Sequence, residues 1–199
     1  MDVFVCCSIT DDRRFDMARR VVERWLSLKV EPIILHRKGT RIAKEWIDLP
    51  VVMVDVDAKD FQRQRRMITD AVSTTGIYVC ADDDCLPLDN LNGLRQAETI
   101  LRQHSDFAIL SALPSKANIV PWTPESYQPF EDQYVMEHVS VGGIRFCRKG
   151  ALKEWPPHDG NAGFDREHCA AIRAAGKRVG YFRSHVMEHL GEGHSTVWN

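Results

Sequence analysis

Short apolar runs alternate with longer amphipathic stretches through the first half of the chain. Val3 to Ile9 is a run of strand length that stops at the polar cluster Thr10 to Arg14. Phe15, Ala18, Val21, Val22, Trp25 and Leu26 then recur at helical spacing, with arginines on the other face, and Asp11 or Asp12 is placed to cap that helix. Pro32 to His36 reads as a second strand and Pro50 to Val56 as a third. Phe61 to Ser73 reads as a basic helix carrying Arg63, Arg65 and Arg66, closed by Thr74, Thr75 and Gly76. A fourth strand, Ile77 to Ala81, a helix from Leu91 to His104 and a fifth strand, Phe107 to Ala112, complete the alternation.

This order predicts an α/β single domain, its central sheet mostly parallel and flanked by helices on both faces. Ligands of such sheets bind at the carboxyl ends of the strands, where Asp82, Asp83 and Asp84 fall. From Pro114 to Glu137 the pattern breaks. Four prolines, Trp122, Tyr127, Phe130 and Tyr134 sit among polar residues without periodicity, as in a functional loop. Val139 to Arg148 reads as a strand interrupted by Gly142 and Gly143, which predicts a bulge or the close approach of a ligand. A helix is expected from Gly163 to Ala175 with Gly176 after it, then a last strand from Val179 to Phe182 and a tail rich in His and Gly. With no internal repeat and no linker, residues 1–199 are expected to form one domain.

Composition narrows the partners. The 199 residues carry a formal charge of −2, so there is no global basic field, and nucleic acid is not expected as a partner. No apolar run reaches the length of a transmembrane segment, and MDVFVCCSITDD lacks the basic start and apolar core of a signal peptide, so a cytoplasmic protein is expected. Six cysteines, at 6, 7, 80, 85, 147 and 169, are scattered without paired zinc-site spacing and read as small buried hydrophobes.

The candidate chemistry begins at YVCADDDCLPL, residues 78–88. Three adjacent carboxylates at a strand end are costly unless a cation compensates them. Alternation along the strand predicts that Asp82 and Asp84 share one side while Asp83 faces away, and oxygen ligands with open positions suit Mg²⁺ or Mn²⁺ held jointly with substrate phosphates. A solvated acidic turn capping the next segment is the plainer alternative.

YVCADDDCLPL resembles the DxD segment of GT-A-fold glycosyltransferases, and NAGFDREHCAAIRAAGKRVGYF is similar to the EDxDLxxRxxxxGxxV segment of the inverting family 2 enzymes. VMEHLGEGHST resembles that family's closing element, and Val141, Gly142 and Gly143 ahead of Arg148 resemble its acceptor-site strand. The resemblance implies a Rossmann-like GT-A fold in which residues 1–112 hold the nucleotide sugar and residues 113–199 the acceptor and the catalytic base. It implies Asp165 as base, Asp84 as the principal metal ligand, His189 as a further one, and Asp82 at the ribose or the metal, with Asp83 supporting the triplet. Arg66 would contact nucleotide or phosphate. The donor implied is a nucleoside-diphosphate sugar, most often a UDP-sugar, and the acceptor a glycan or other hydroxyl. Phe164 replaces the family's acidic residue, Ala171 its arginine, and His36, Arg37 and Lys38 stand where an acidic nucleotide contact is usual; Asp55 or Asp57 is expected to take over that contact, and Thr10 either caps a helix or reaches the base.

The chemistry is coherent on its own terms. A departing diphosphate needs a cation and an arginine, and an acceptor hydroxyl needs a carboxylate to take its proton. Each residue also has an ordinary alternative: Asp165 and Glu167 as first-turn helix acids, His189 as a surface histidine, Arg66 as a solvated helix face, and Trp122 and Tyr127 as satellite core. Three other functions compete. A sugar-phosphate nucleotidyltransferase would need a Gly-rich, Arg-containing loop after the first strand, which CSITDDRRF lacks; a phosphohydrolase would use the acidic cluster without an acceptor; a non-catalytic sugar-nucleotide or glycan binding module would keep the fold alone.

Overall fold

The computed structural model describes residues 1–7, 12–37, 46, 48–54, 61–88, 91–114, 135–137, 141–152 and 164–190. Thr10, Asp11, Asp55, Asp57, Trp122, Tyr127, Phe130 and Tyr134, and the tail beyond Leu190, lie outside these described residues.

The alternation of apolar runs and amphipathic stretches becomes β1 (Val3–Cys7), α1 (Asp12–Ser27), β2 (Ile33–Arg37), β3 (Val51–Val54), α2 (Phe61–Val72), β4 (Ile77–Asp82), β5 (Cys85–Pro87), α3 (Leu91–Gln103), β6 (Phe107–Pro114), β7 (Val135–Glu137), β8 (Arg145–Arg148), α4 (Phe164–Ala174) and β9 (Arg178–His189). Among the described residues nine strands form one sheet in the order β3-β2-β1-β4-β8-β6-β9-β5, with β7 also on β9. β1, β2, β3 and β4 run parallel, as do β6 and β9; β8 lies antiparallel between β4 and β6, and β5 and β7 lie antiparallel to β9.

Alternation along the strands sorts the core into two layers. Val3 and Val5 of β1, with Ile77, Val79 and Ala81 of β4, pack against Ala18, Val21, Val22 and Trp25 of α1 and Ala97 and Leu101 of α3. Phe4, Tyr78 and Cys80 face the other way, toward Ile68 of α2 and Cys169 and Ile172 of α4. Helices thus cover both faces, because each contributes one apolar stripe and each strand two apolar sides. Cys80, Cys85, Cys147 and Cys169 are buried thiols and serve as core residues.

Helix ends follow local chemistry. Gly176 closes α4 at φ 76°, with Lys177 N donating to Ile172 O at 3.2 Å. α1 ends in the same left-handed conformation at Lys29, φ 60°, where Val30 N donates to Trp25 O at 3.1 Å. Beyond α2, Asp2 accepts from Thr74 N at 2.6 Å and Ser73 Oγ at 3.1 Å, so the end of the helix is tied to the start of the chain.

Three elements differ from expectation. β8 is confined to Arg145–Arg148, because Gly143 takes φ 75° and breaks the extended run before it. A Cβ on Gly143 would collide with the Met187 side chain, so the close approach here is to β9. β9 extends to His189, well past Phe182, because β5 and β7 both pair with it; these two strands of three residues each were too short to leave a periodic signal. Finally, Arg148 points away from the carboxyl ends of the strands: its guanidinium donates to the carbonyl oxygens of Phe107, at 3.1 Å, and Leu101, at the end of α3.

Candidate active site

The acidic triplet is a corner. Asp82 ends β4, Asp83 and Asp84 make a turn, and Cys85 starts β5. Following the alternation Tyr78, Cys80, Asp82, the Asp82 carboxylate falls on the α2 and α4 side of the sheet. There its Oδ1 meets Arg65 Nη2 at 2.8 Å and Arg145 Nη2 at 2.6 Å. The turn sends the next two carboxylates toward α1, where the Arg14 guanidinium spans them, Nη2 to Asp83 Oδ1 and Nη1 to Asp84 Oδ2 at 2.8 Å. Asp82 and Asp84 therefore address different neighbours, and it is Asp83 and Asp84 that share one.

β5 brings in the last component. Its antiparallel register sets Cys85 opposite His189, and Leu190 N donates to Asp84 O at 2.7 Å. His189 Nε2 then lies 3.5 Å from Asp84 Oδ2, with its side chain 37% exposed. Ligand atoms of Asp84, Cys85 and His189 all fall within 4.8 Å of one another. A carboxylate oxygen suits Mg²⁺ or Mn²⁺, and an added imidazole nitrogen favours a transition-metal ion over Mg²⁺. Burial, with the charges of Asp84 and Asp82 adding, pushes the Cys85 thiol well above the usual range. Asp84 and His189, with Cys85 beside them, form a candidate metal-binding group.

Asp165 lies in the first turn of α4 and is held from below. Arg66 Nη2, at 3.1 Å, and Arg145 Nη1 both bind its Oδ1. Among the described residues Oδ2 takes no hydrogen bond, and it lies over Gly142, where a Cβ would sit 2.9 Å from it. The side chain is 36% exposed, whereas Arg66 and Arg145 are both 0% exposed. Arg145 thus joins the end of β4 to the start of α4.

Electrostatics follow from this packing. Burial raises the Asp82 carboxyl, but Arg145, Arg65 and Arg66 overcome it and hold Asp82 well below the usual range. Asp83 goes the other way: burial pushes it up to about 6, with Arg14 opposing and Asp84 adding. His168, one turn along α4 from Asp165, is buried, and burial together with Arg66, Arg145 and Arg65 holds its imidazole well below the usual range.

Of the residues singled out from the sequence, Asp82, Asp83, Asp84, Arg66, Asp165 and His189 lie at this one end of the sheet, in two groups bridged along the triplet. Thr10 and Asp55 lie outside the described residues. Sequence reasoning missed Arg14, Arg65 and Arg145. Arg145 left a usable signal, a lone charge inside the apolar run GGIRFC. Arg14 and Arg65 left none, being embedded in arginine-rich helix faces.

No family model matches the chain, and no curated protein does. Solved structures do match. The order of strands and helices is that of the GT-A fold, and the chain has this fold. A crystal structure of GalNAc-T7 with UDP, GalNAc and Mn²⁺ superposes with a TM-score of 0.71 at 10% identity, over 94% of this chain and 43% of that one. TarS of S. aureus gives 0.63 at 12% identity, over 99% of this chain and 38% of that one. The inositol-1-phosphate CTP transferase from T. maritima gives 0.59 at 12%, over 99% and 94%. The chain therefore spans less than half the length of the two glycosyltransferases and nearly all of the nucleotidyltransferase. No helix among the described residues is long and apolar enough to cross a membrane.

Proposed function

We propose that the protein transfers a sugar from a nucleoside-diphosphate sugar, a UDP-sugar first among candidates, to an acceptor hydroxyl with inversion. One observation carries the reading: Asp165 is anchored through Oδ1 by two buried arginines while its Oδ2, among the described residues, takes no hydrogen bond, at the end of the sheet where Asp84 and His189 meet. Oδ2 takes the acceptor proton as the acceptor oxygen bonds to the anomeric carbon, and the bond from that carbon to the diphosphate oxygen breaks in the same displacement. Anchoring Oδ1 keeps the carboxylate aimed while leaving one oxygen to work. Residues 1–112 hold the donor, with Asp82 toward the nucleotide, Asp83 supporting the triplet through Arg14, Arg66 near the phosphates, and Thr10 and Asp55 as the remaining nucleotide contacts; residues 113–199 hold the acceptor. Asp84 and His189 would hold the divalent ion, Mn²⁺ or Mg²⁺, which would supply positive charge to offset that of the departing diphosphate. A cytoplasmic setting belongs to the same reading.

A second reading has its own support. The nucleotidyltransferase is matched along nearly the full length of both chains, so this size of domain is sufficient for CTP transfer in another protein. The two are separated by thermal-shift and product assays with UDP-, GDP-, dTDP- and CMP-sugars, each with and without Mn²⁺, against nucleoside triphosphates with sugar phosphates. Metal-dependent stabilisation by one class of nucleotide sugar, with nucleoside diphosphate released, is the expected result. Pyrophosphate release from a triphosphate selects the second reading, and silence from all ligands at saturation removes both. Asp165→Asn is expected to bind donor and fail to transfer.

A further inference from the structure

We infer that Arg14 is the resident counter-ion of the acidic turn, which a divalent cation has to displace from Asp84 in order to bind; this rests on the metal reading above. The two Nη atoms of Arg14 divide between Asp83 Oδ1 and Asp84 Oδ2. That same Asp84 Oδ2 is the oxygen 3.5 Å from His189 Nε2. A cation held between Asp84 and His189 therefore uses the oxygen that Arg14 occupies. Asp82 faces the α2 and α4 side of the sheet, away from His189, with its Oδ1 bound to Arg65 and Arg145.

The helix that carries Arg14 is fixed. Arg24, further along α1, donates from Nε to Pro87 O at 2.9 Å and from Nη2 to Leu88 O at 3.1 Å, tying α1 to the strand that follows the triplet. Displacement is thus a side-chain movement. Arg14 is suited to it, since its side chain is 25% exposed where Arg65 and Arg145 are almost wholly buried. Two consequences follow. Arg14 offsets part of the charge of the acidic turn without any metal, so added divalent ion stabilises the native chain only to the extent of its weakened affinity. Cation binding is also weaker than the bare donor set would give, because a charge-assisted bond is broken each time an ion enters.

The test measures Mn²⁺ binding without donor, from loss of the free aquo-ion's electron paramagnetic resonance signal. Arg14→Gln alone would take the guanidinium from two buried carboxylates and is prone to unfold. Asp83→Asn is therefore compared with Asp83→Asn/Arg14→Gln, which removes one buried charge together with its partner. The double variant is expected to bind Mn²⁺ about tenfold more tightly than Asp83→Asn, as loss of a competing charge-assisted bond predicts, and to melt at a higher temperature when Mn²⁺ is added. Equal or weaker binding by the double variant, with binding abolished by Asp84→Asn, overturns the displacement and leaves the metal site standing. No Mn²⁺ binding in any variant, or binding indifferent to Asp84→Asn, overturns the metal reading and the proposal together.

Discussion

Arg145→Met tests whether the buried arginine is a structural link between the acidic corner and α4. Arg145 is 0% exposed and binds both Asp82 and Asp165. Removing one partner of a buried ion pair costs about 3–5 kcal/mol, because the remaining charge stays buried. Two features reduce that cost. Asp82 keeps Arg65 at 2.8 Å, and Asp165 keeps Arg66 at 3.1 Å while being 36% exposed and so partly screened by water. A loss of about 2–3 kcal/mol is expected, nearly all of it on the Asp82 side. The assay is urea unfolding of wild type, Arg145→Met, Asp82→Asn and the double variant. A coupling energy of about 1–3 kcal/mol between the two positions is expected. The pH dependence gives an independent check. Asp82 is held below its unfolded value, so its contribution is full above that value and is lost as pH falls; Arg145→Met brings Asp82 back toward the ordinary range and shrinks the loss on acidification. A destabilisation below about 1 kcal/mol, or additive single and double variants, would refute the reasoning.

Other outcomes are expected at neighbouring positions. Burial and three guanidiniums depress His168, so the unfolded chain takes up a proton that the fold refuses; stability is full above about pH 6.5 and falls by about 1.4 kcal/mol per unit below it, a slope that His168→Asn should flatten in denaturation midpoints measured across that range. Gly142→Ala places a methyl 2.9 Å from Asp165 Oδ2 and displaces the carboxylate, so kcat for transfer should fall by about tenfold or more with donor KM little changed; an unaltered kcat would count against Asp165 as the base. Lys29→Gly relieves the left-handed residue that ends α1 and should raise the urea midpoint by the equivalent of about 0.5 kcal/mol without changing the slope.

The N-terminal half of the fold was legible because its strands and helices each repeat an apolar period over five or more positions, as in Phe15 to Leu26 and Ile77 to Ala81. The C-terminal half was less so. β9 alternates too weakly beyond Phe182 to be seen as one strand, and its length comes from pairing with β5 and β7, which is tertiary information. At the site, the acidic residues were visible because three carboxylates in a row demand compensation. Their compensators were not. Arg14 and Arg65 stand among other arginines on amphipathic helices, and only the packing of α1 and α2 selects which of them turn inward. The sidedness of the triplet was hidden for a related reason: strand alternation ends at Asp82, and the turn that follows redirects Asp84 toward Arg14 and His189.

The long reach of β9 also bears on how the chain folds. The contacts that assemble the site join residues 63, 70 and 99 positions apart, and the approach of His189 to Asp84 spans a greater distance still. Such closures carry a loop-entropy cost before any contact rewards them, so they belong to the late steps of folding. β1, β2 and β4 can pair around α1 and α2 from the first-made part of the chain. The corner at Asp83 and Asp84 gains its His only after the last strand has crossed the sheet. Competence to bind an ion would then appear at the end of folding, and its rate of appearance would track the docking of β9.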